Sequence, residues 1–277
     1  MNKKSYLFAN DEVNVIPKKI HYCWFGGNPL PEDVKLYIAS WRKYCPDYEI
    51  IEWNESNFDI NCCAYVKEAY EAKKWAFVAD YARLYVLYHH GGIYMDTDVE
   101  VVKPFDDLLN CQAFMCFEND RLVSIGTLGA IKESSLIREF LDSYERKHFL
   151  KEDGSYDMTP NLNIITHILS KKYNLRLNGK AQVLEDKICI YPVDYFIAKS
   201  YLLGWIQANE CTYAIHHYNA SWVDEKTKTI EEKKRKYAVL YMRCLEKYVF
   251  KFAGVRVTFD DEGVSGVLKK IIKRLCH

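Results

Sequence analysis

The chain has 277 residues, 49% of them hydrophobic, with 38 basic and 38 acidic side chains. That is enough apolar material for one large domain with at most a small appendage, and zero net charge with evenly spread Lys and Arg argues against a nucleic-acid partner. The ten cysteines have irregular spacing and no C-x-x-C pair, which fits reduced thiols in the cytosol and not a disulfide framework or a zinc site.

The opening MNKKSYLFANDEVN is charged with no apolar core behind it, so no signal peptide is expected, and no apolar run reaches the length of a membrane span. Ile16–Gly27, IPKKIHYCWFGG, reads as a strand closed by Gly26-Gly27. Glu32–Tyr44 has helical spacing at Val34, Tyr37, Ile38 and Trp41 and stops before Pro46. Tyr48–Trp53 is a second strand, so the chain starts with a βαβ unit and a parallel sheet. Asn61–Lys74 is an amphipathic helix. Ala76–Tyr88 is apolar on all sides, hence a buried helix capped by Gly91, and Gly92–Met95 is a strand. Ala113–Phe117, Val123–Ile131, Ile188–Tyr191 and Tyr213–His217 are further strands. Ser134–Lys147, with Ser134 or Ser135 as N-cap, and Asn161–Tyr173 are further helices. After residue 222 the composition turns charged, with a helix over Tyr237–Phe252 and a short basic one, VLKKIIKRL, at Val267–Leu275. The boundaries predicted are 1–222 for the core and 223–277 for a helical extension.

The chemistry concentrates in Trp75–Val102. Asp80 and Arg83 are the only charges in their helix, and Asp96-Thr97-Asp98 follows the strand Gly92–Met95. Buried charge needs a partner or a ligand. Asp80 and Arg83, three residues apart, fit an internal ion pair as well as a ligand contact. Two carboxylates two residues apart repel each other unless a cation joins them. The geometry suits Mn²⁺ or Mg²⁺ shared with phosphate oxygens, and the carboxyl end of a strand is where open α/β sheets bind ligands. A solvated acidic turn has the same residues. A calcium loop beginning at Asp96 needs Gly where Val101 stands.

Three blocks, IPKKIHYCWFGG, WAFVADYARLYVLYHHGGIYMDTDVEVVKPFDDLL and IHHYNASW, together resemble the DXD-containing sugar transferases of glycosyltransferase family 32. The resemblance covers Ile16 to Trp222. It implies an α/β fold of GT-A type, a Rossmann-like, mostly parallel sheet between helices, here with a C-terminal helical appendage. It implies that Trp24 stacks on the nucleotide base and that Asp80 and Arg83 contact the donor sugar and ribose. Tyr94 then packs near the nucleotide, Asp96 holds ribose and metal, Asp98 ligates the metal, and Ser221 and Trp222 close over the diphosphate. His217, with His216 as fallback, is the candidate third metal ligand.

The function so implied is a retaining, metal-dependent transfer of a hexose from a nucleotide-diphosphate donor, with uracil favoured over guanine as the base. The acceptor expected is a saccharide, lipid-linked, in capsule or O-antigen synthesis. The basic amphipathic Val267–Leu275 fits peripheral contact with the inner face of a cell membrane, or packing on the core. A protein-directed, toxin-like glycosyltransferase is the alternative. A haloacid-dehalogenase-type phosphatase with Asp96 as nucleophile is the more remote one, since Glu100 stands where that motif wants Thr or Val.

Overall fold

The protein is described by a computed structural model covering residues 15–200, 204–219, 229–230, 232–237 and 246–275. The central sheet is built from β1 (Lys19–Cys23), β2 (Glu49–Trp53), β3 (Gly92–Met95), β5 (Ala113–Asn119), β6 (Leu122–Ala130), β7 (Gln182–Val183) and β8 (Ile188–Tyr191). Its seven strands lie in the order β2-β1-β3-β6-β5-β8-β7. β2, β1 and β3 are parallel, β6 is antiparallel to both β3 and β5, and β8 is parallel to β5, with β7 antiparallel at the edge. This is the mixed, mostly parallel α/β sheet that the βαβ signal and the resemblance both imply. A separate antiparallel pair is formed by β4 (Val99–Val101) and β9 (Ala214–His216), with Val99 opposite His216.

Helices cover both faces because the strands are apolar on both sides. α2 (Ala64–Glu71), α3 (Trp75–His90), α4 (Ser135–Asp142) and α5 (Asn161–Lys172) contribute to one buried cluster, around Val66, Leu84, Leu128 and Phe140. α1 (Glu32–Tyr44) and the β4–β9 pair contribute to the other, around Trp41, Val99, Phe105 and Phe114. The sheet passes between these two cores. Gly129 on β6 lets it do so: a Cβ there would stand 2.1 Å from the Phe114 ring.

Two details position the site. His21 on β1 is fully buried, with Nδ1 accepting the Trp53 indole N–H (3.1 Å) and Nε2 donating to the Gly91 carbonyl (2.8 Å). It thereby ties β1 and β2 to the Gly91-Gly92 turn that ends α3, where Gly91 takes the left-handed φ of 61°. On the opposite face, the Trp41 indole donates to the Val99 carbonyl (2.7 Å) and Ser40 Oγ accepts from the Val101 N–H (2.9 Å), so α1 fixes β4 just past the acidic turn.

Several helices are shorter than their sequence pattern. α2 begins only at Ala64, because Asp59 folds residues 59–61 into a turn by accepting the Asn61 N–H, and it ends as Lys73 turns left-handed. α4 stops at Asp142, with the chain to Arg146 in turns, and Ser134 occupies its N-cap without a side-chain bond. At the C-terminus two helical stretches follow one another over Glu246–Leu275 (together α6), broken at Gly263, whose φ of 66° and ψ of −165° are not helical. No helix among the described residues is long and apolar enough to cross a membrane. The predicted 222/223 boundary and the residues before 15 lie outside the described residues.

Candidate active site

α3 is buried because it is apolar all round, and it carries Asp80 and Arg83 inward with it. Arg83 is 6% exposed. Its guanidinium donates to Asp80 Oδ1 (2.9 Å) and the Ile125 carbonyl (3.1 Å), and reaches both oxygens of Asp96 (3.3 and 3.4 Å). Nε turns back on the Ala79 carbonyl (3.3 Å). Tyr94 lies beneath it, ring centroid 4.6 Å from Cζ, and its hydroxyl donates to Asp96 (3.2 Å). Arg83 therefore clamps helix to turn. Burial opposes its charge, but Asp96, Tyr94 and Asp80 outweigh that and hold it ionised. Burial pushes the Asp80 carboxyl up to about 6, against the pull of Arg83.

Asp96 and Asp98 sit in the turn between β3 and β4, closed by the Val99 N–H on the Asp96 carbonyl (3.1 Å). β9 runs beside it and delivers His216, whose Nε2 is 3.0 Å from Asp98 Oδ1; the Asn219 N–H donates to Oδ2 (2.8 Å). Single ligand atoms of Asp96, Asp98 and His216 all lie within 4.8 Å of one another. Burial, with Asp98 adding to it, raises Asp96 above the usual carboxylate range against Arg83. Burial also works against the Asp98 charge, but His216 and its hydrogen bond hold that carboxyl low. Burial likewise disfavours the His216 cation, yet Asp98 and Asp96 lift it to about 9.

These residues fit a divalent cation. Asp80, Asp96 and Asp98 against Arg83 leave two negative charges when His216 is neutral, the charge of one such ion. His216 Nδ1 is buried with no hydrogen-bond partner. Gly126 on β6 leaves the room: a Cβ there would stand 2.9 Å from Asp96 Oδ2 and 3.6 Å from His216 Cε1. Carboxylate oxygens and one imidazole suit Mn²⁺ well and Mg²⁺ acceptably.

The histidine brought to the turn is His216, not His217. His217 faces the other way, its Nε2 on Glu100 (2.9 Å) and its ring stacked on Tyr37 at 4.6 Å. Strand alternation separates the two imidazoles, and β4 faces β9 so that the even position looks into the site. Tyr94 is 2% exposed, so it supports Arg83 and Asp96 from below and offers little surface to a ligand. Trp24 is half-buried at the end of β1, its indole donating to the Asn28 carbonyl (2.6 Å). Gly26 abuts Trp75, where a Cβ would stand 2.7 Å from the ring, whereas Gly27 is open. Ser221 and Trp222 lie outside the described residues. Sequence reasoning missed Gly126, readable only as a break in a strand pattern. For Asn161 the sequence offers two readings, a helix cap or, by the resemblance, a position near the transferred sugar. Asn161 is 7% exposed and lies beside Asp80, whose charged form its side chain favours.

Residues 31–115 match the sequence model of a family described as glycosyltransferase sugar-binding region containing DXD motif. That segment holds Asp80, Arg83, Tyr94, Asp96 and Asp98 and stops short of His216. The chain is 31% identical over 118 residues to inositol phosphoceramide mannosyltransferase 1 of Schizosaccharomyces pombe, covering 39% of this chain and 35% of the relative. It is 29% identical over 199 residues to mannosyl phosphorylinositol ceramide synthase SUR1 of Saccharomyces cerevisiae, covering 64% and 48%. The chain thus spans about a third to a half of the length of these curated relatives. Among solved structures it is similar to the PaToxG glycosyltransferase, with a TM-score of 0.45 and 21% identity over 57% of this chain and 70% of that one.

Proposed function

Taking as premise a chain that carries the DXD-containing sugar-binding region of a glycosyltransferase over residues 31–115, we propose that it moves a sugar from a nucleoside-diphosphate donor to a saccharide acceptor, with retention of anomeric configuration and with the help of a divalent cation. One observation carries this reading: Asp96, Asp98 and His216 converge at the carboxyl end of β3 while Arg83 ties Asp96 to Asp80.

The chain's residues divide the work. Asp96, Asp98 and His216 would hold the cation, which supplies positive charge for the departing diphosphate. Arg83 keeps Asp80 and Asp96 in one geometry. Asp80, at the sugar end, is a carboxylate for the oxocarbenium character that develops at the anomeric carbon. Among the described residues no side chain is placed as a nucleophile, so the acceptor hydroxyl attacks on the face the leaving group vacates. Its oxygen bonds to the anomeric carbon, and the carbon–oxygen bond to the diphosphate breaks. That electron pair stays on the distal phosphate oxygen, which takes the acceptor's proton. Trp24 is assigned to the base, with uracil over guanine, and Ser221 and Trp222 to closure over the diphosphate.

A lipid-linked acceptor is supported by the curated relatives, which are named for mannosyl transfer to inositol phosphoceramide. Surface polysaccharide synthesis remains the setting we assign. α6 supports a membrane-facing position: Phe252, Val255, Phe259, Val264 and Leu268 are exposed along one apolar side, with Lys269 and Lys270 exposed beside them. That pairing of apolar face and cations suits an anionic lipid surface.

The test is Asp98→Asn. Wild type should hydrolyse or transfer from a nucleotide-sugar with Mn²⁺ and melt at higher temperature when both are present. The variant should lose turnover by about a hundredfold or more, as expected when a charge-stabilising group is removed. Undiminished turnover would sink the mechanism.

A further inference from the structure

We propose that Lys199 contacts the distal phosphate of the nucleoside-diphosphate donor, adding a protein cation to the metal on the leaving group. The inference deepens the glycosyl-transfer reading and rests on it.

Lys199 is carried alongside β9 by an irregular strap. After β8 the chain buries Phe196 and Ile197 in the core beneath the small sheet and runs beside β9, where the Tyr213 N–H donates to the Tyr195 carbonyl (2.8 Å) and the His216 N–H to the Ile197 carbonyl (3.1 Å). Ala198 then adopts a left-handed φ of 42°, a conformation unfavourable for a residue with a Cβ, which persists only where its surroundings impose it. It turns the next residue back toward the strand. Lys199 Nζ donates to the His217 carbonyl (2.9 Å) and lies 3.4 Å from His217 Nδ1. His217 in turn donates its backbone N–H to the Asp98 carbonyl (2.8 Å). The ammonium is thus bound to the residue next to His216, and that residue is itself hydrogen-bonded to the backbone of Asp98.

Its partners are odd for a lysine. Neither is a carboxylate: one is a peptide carbonyl, the other Nδ1 of the His217 ring, whose Nε2 faces Glu100. Among the described residues no carboxylate forms an ion pair with it, and its third N–H has no partner. Burial and the nearby Arg235 both lower its basicity, with Asp98 opposing. A half-buried ammonium set beside a second cation, without a carboxylate on it, is an unfavourable arrangement until an anion arrives. The acidic turn cannot supply that anion, since its carboxylates are taken up by Arg83, His216 and the cation they are suited to hold. The donor can. Its diphosphate, esterified at both ends, carries two negative charges that a divalent cation offsets, and the nucleoside diphosphate that departs carries about three, so that one lysine offsets the charge that bond breaking adds. Further negative charge gathers on the distal phosphate as the anomeric bond breaks, so a fixed ammonium there favours the transition state.

A lysine that merely tethers the His217 carbonyl has the same contacts, and the experiment separates the two. Binding of UDP and GDP is compared with that of UMP and GMP by calorimetry, in Mn²⁺ and in EDTA, for wild type, Lys199→Met and Lys199→Arg, with melting temperatures measured alongside. Lys199→Met should weaken binding of the preferred diphosphate by about ten- to a hundredfold, as for a charge-assisted hydrogen bond, and leave the monophosphate within about twofold. Lys199→Arg should recover most of the loss. Equal weakening of diphosphate and monophosphate, or no weakening, overturns the proposal while leaving glycosyl transfer intact. Wild type that binds no diphosphate with Mn²⁺ overturns both.

Discussion

Arg83 is the residue on which the site turns. It is buried with two acids against it, and removing one member of such a group leaves the others charged without a counter-ion. Arg83→Met should therefore destabilise the protein by about 3–5 kcal/mol in urea unfolding, and Arg83→Lys by less, though a lysine cannot reach Asp80, Asp96 and the Ile125 carbonyl together. A loss near zero for the methionine variant would mean that the clamp contributes nothing to stability. Gly126 makes a different kind of claim. Its missing Cβ leaves space for Asp96 Oδ2 and the His216 ring, and its φ is not left-handed, so alanine there acts through space alone. Gly126→Ala should cost little stability and weaken Mn²⁺ binding at least about tenfold, a misplacement effect. Titration with Mn²⁺, read by calorimetry, checks it; a folded variant with full affinity would count against the metal geometry.

At the scale of elements, α3 and β3 are legible in the residues alone, because a helix without a polar face and a strand next to two glycines have few other solutions. The DxD turn follows from them. The distal half of the site is not legible in the same way. Alternation on Tyr213–His217 says that His216 and His217 face opposite sides but not which side the acidic turn occupies. That depends on the antiparallel pairing of Val99 with His216, a contact without a local signal. β1 and β2 make a separate prediction. Burial, with the Gly91 carbonyl opposing it, lowers His21 to about 4. The unfolded imidazole titrates near 6.5, so the folded state binds fewer protons between these values. Stability from the neutral His21 is complete above about 6.5 and is lost as pH falls toward about 4. Between pH 7 and pH 5 that amounts to about 2 kcal/mol. Denaturant midpoints of wild type and His21→Gln at the two pH values measure it, and an unchanged pH dependence in the variant would refute it.

For the molecule as a whole, the parallel sheet and its two covering layers are legible from the βαβ opening and the strands apolar on both sides. The C-terminal region is less so, since its two helical stretches meet at Gly263, whereas the sequence signals left residues 253–266 between them. Its exposed apolar side leads to a prediction at this scale. The full chain should co-sediment with vesicles containing anionic lipid and less with neutral ones, and Phe252→Ser with Phe259→Ser should abolish the difference. Binding that is indifferent to those substitutions would move the membrane contact elsewhere or remove it.

His216 stands 118 positions beyond Asp98, its partner across the turn. During synthesis Asp96 and Asp98 emerge early, and His216 only after those further 118 residues have left the ribosome. Until β9 docks on β4, Asp96 and Asp98 have each other and Arg83, but no imidazole. A cation held by all three groups, as proposed, would wait for that docking.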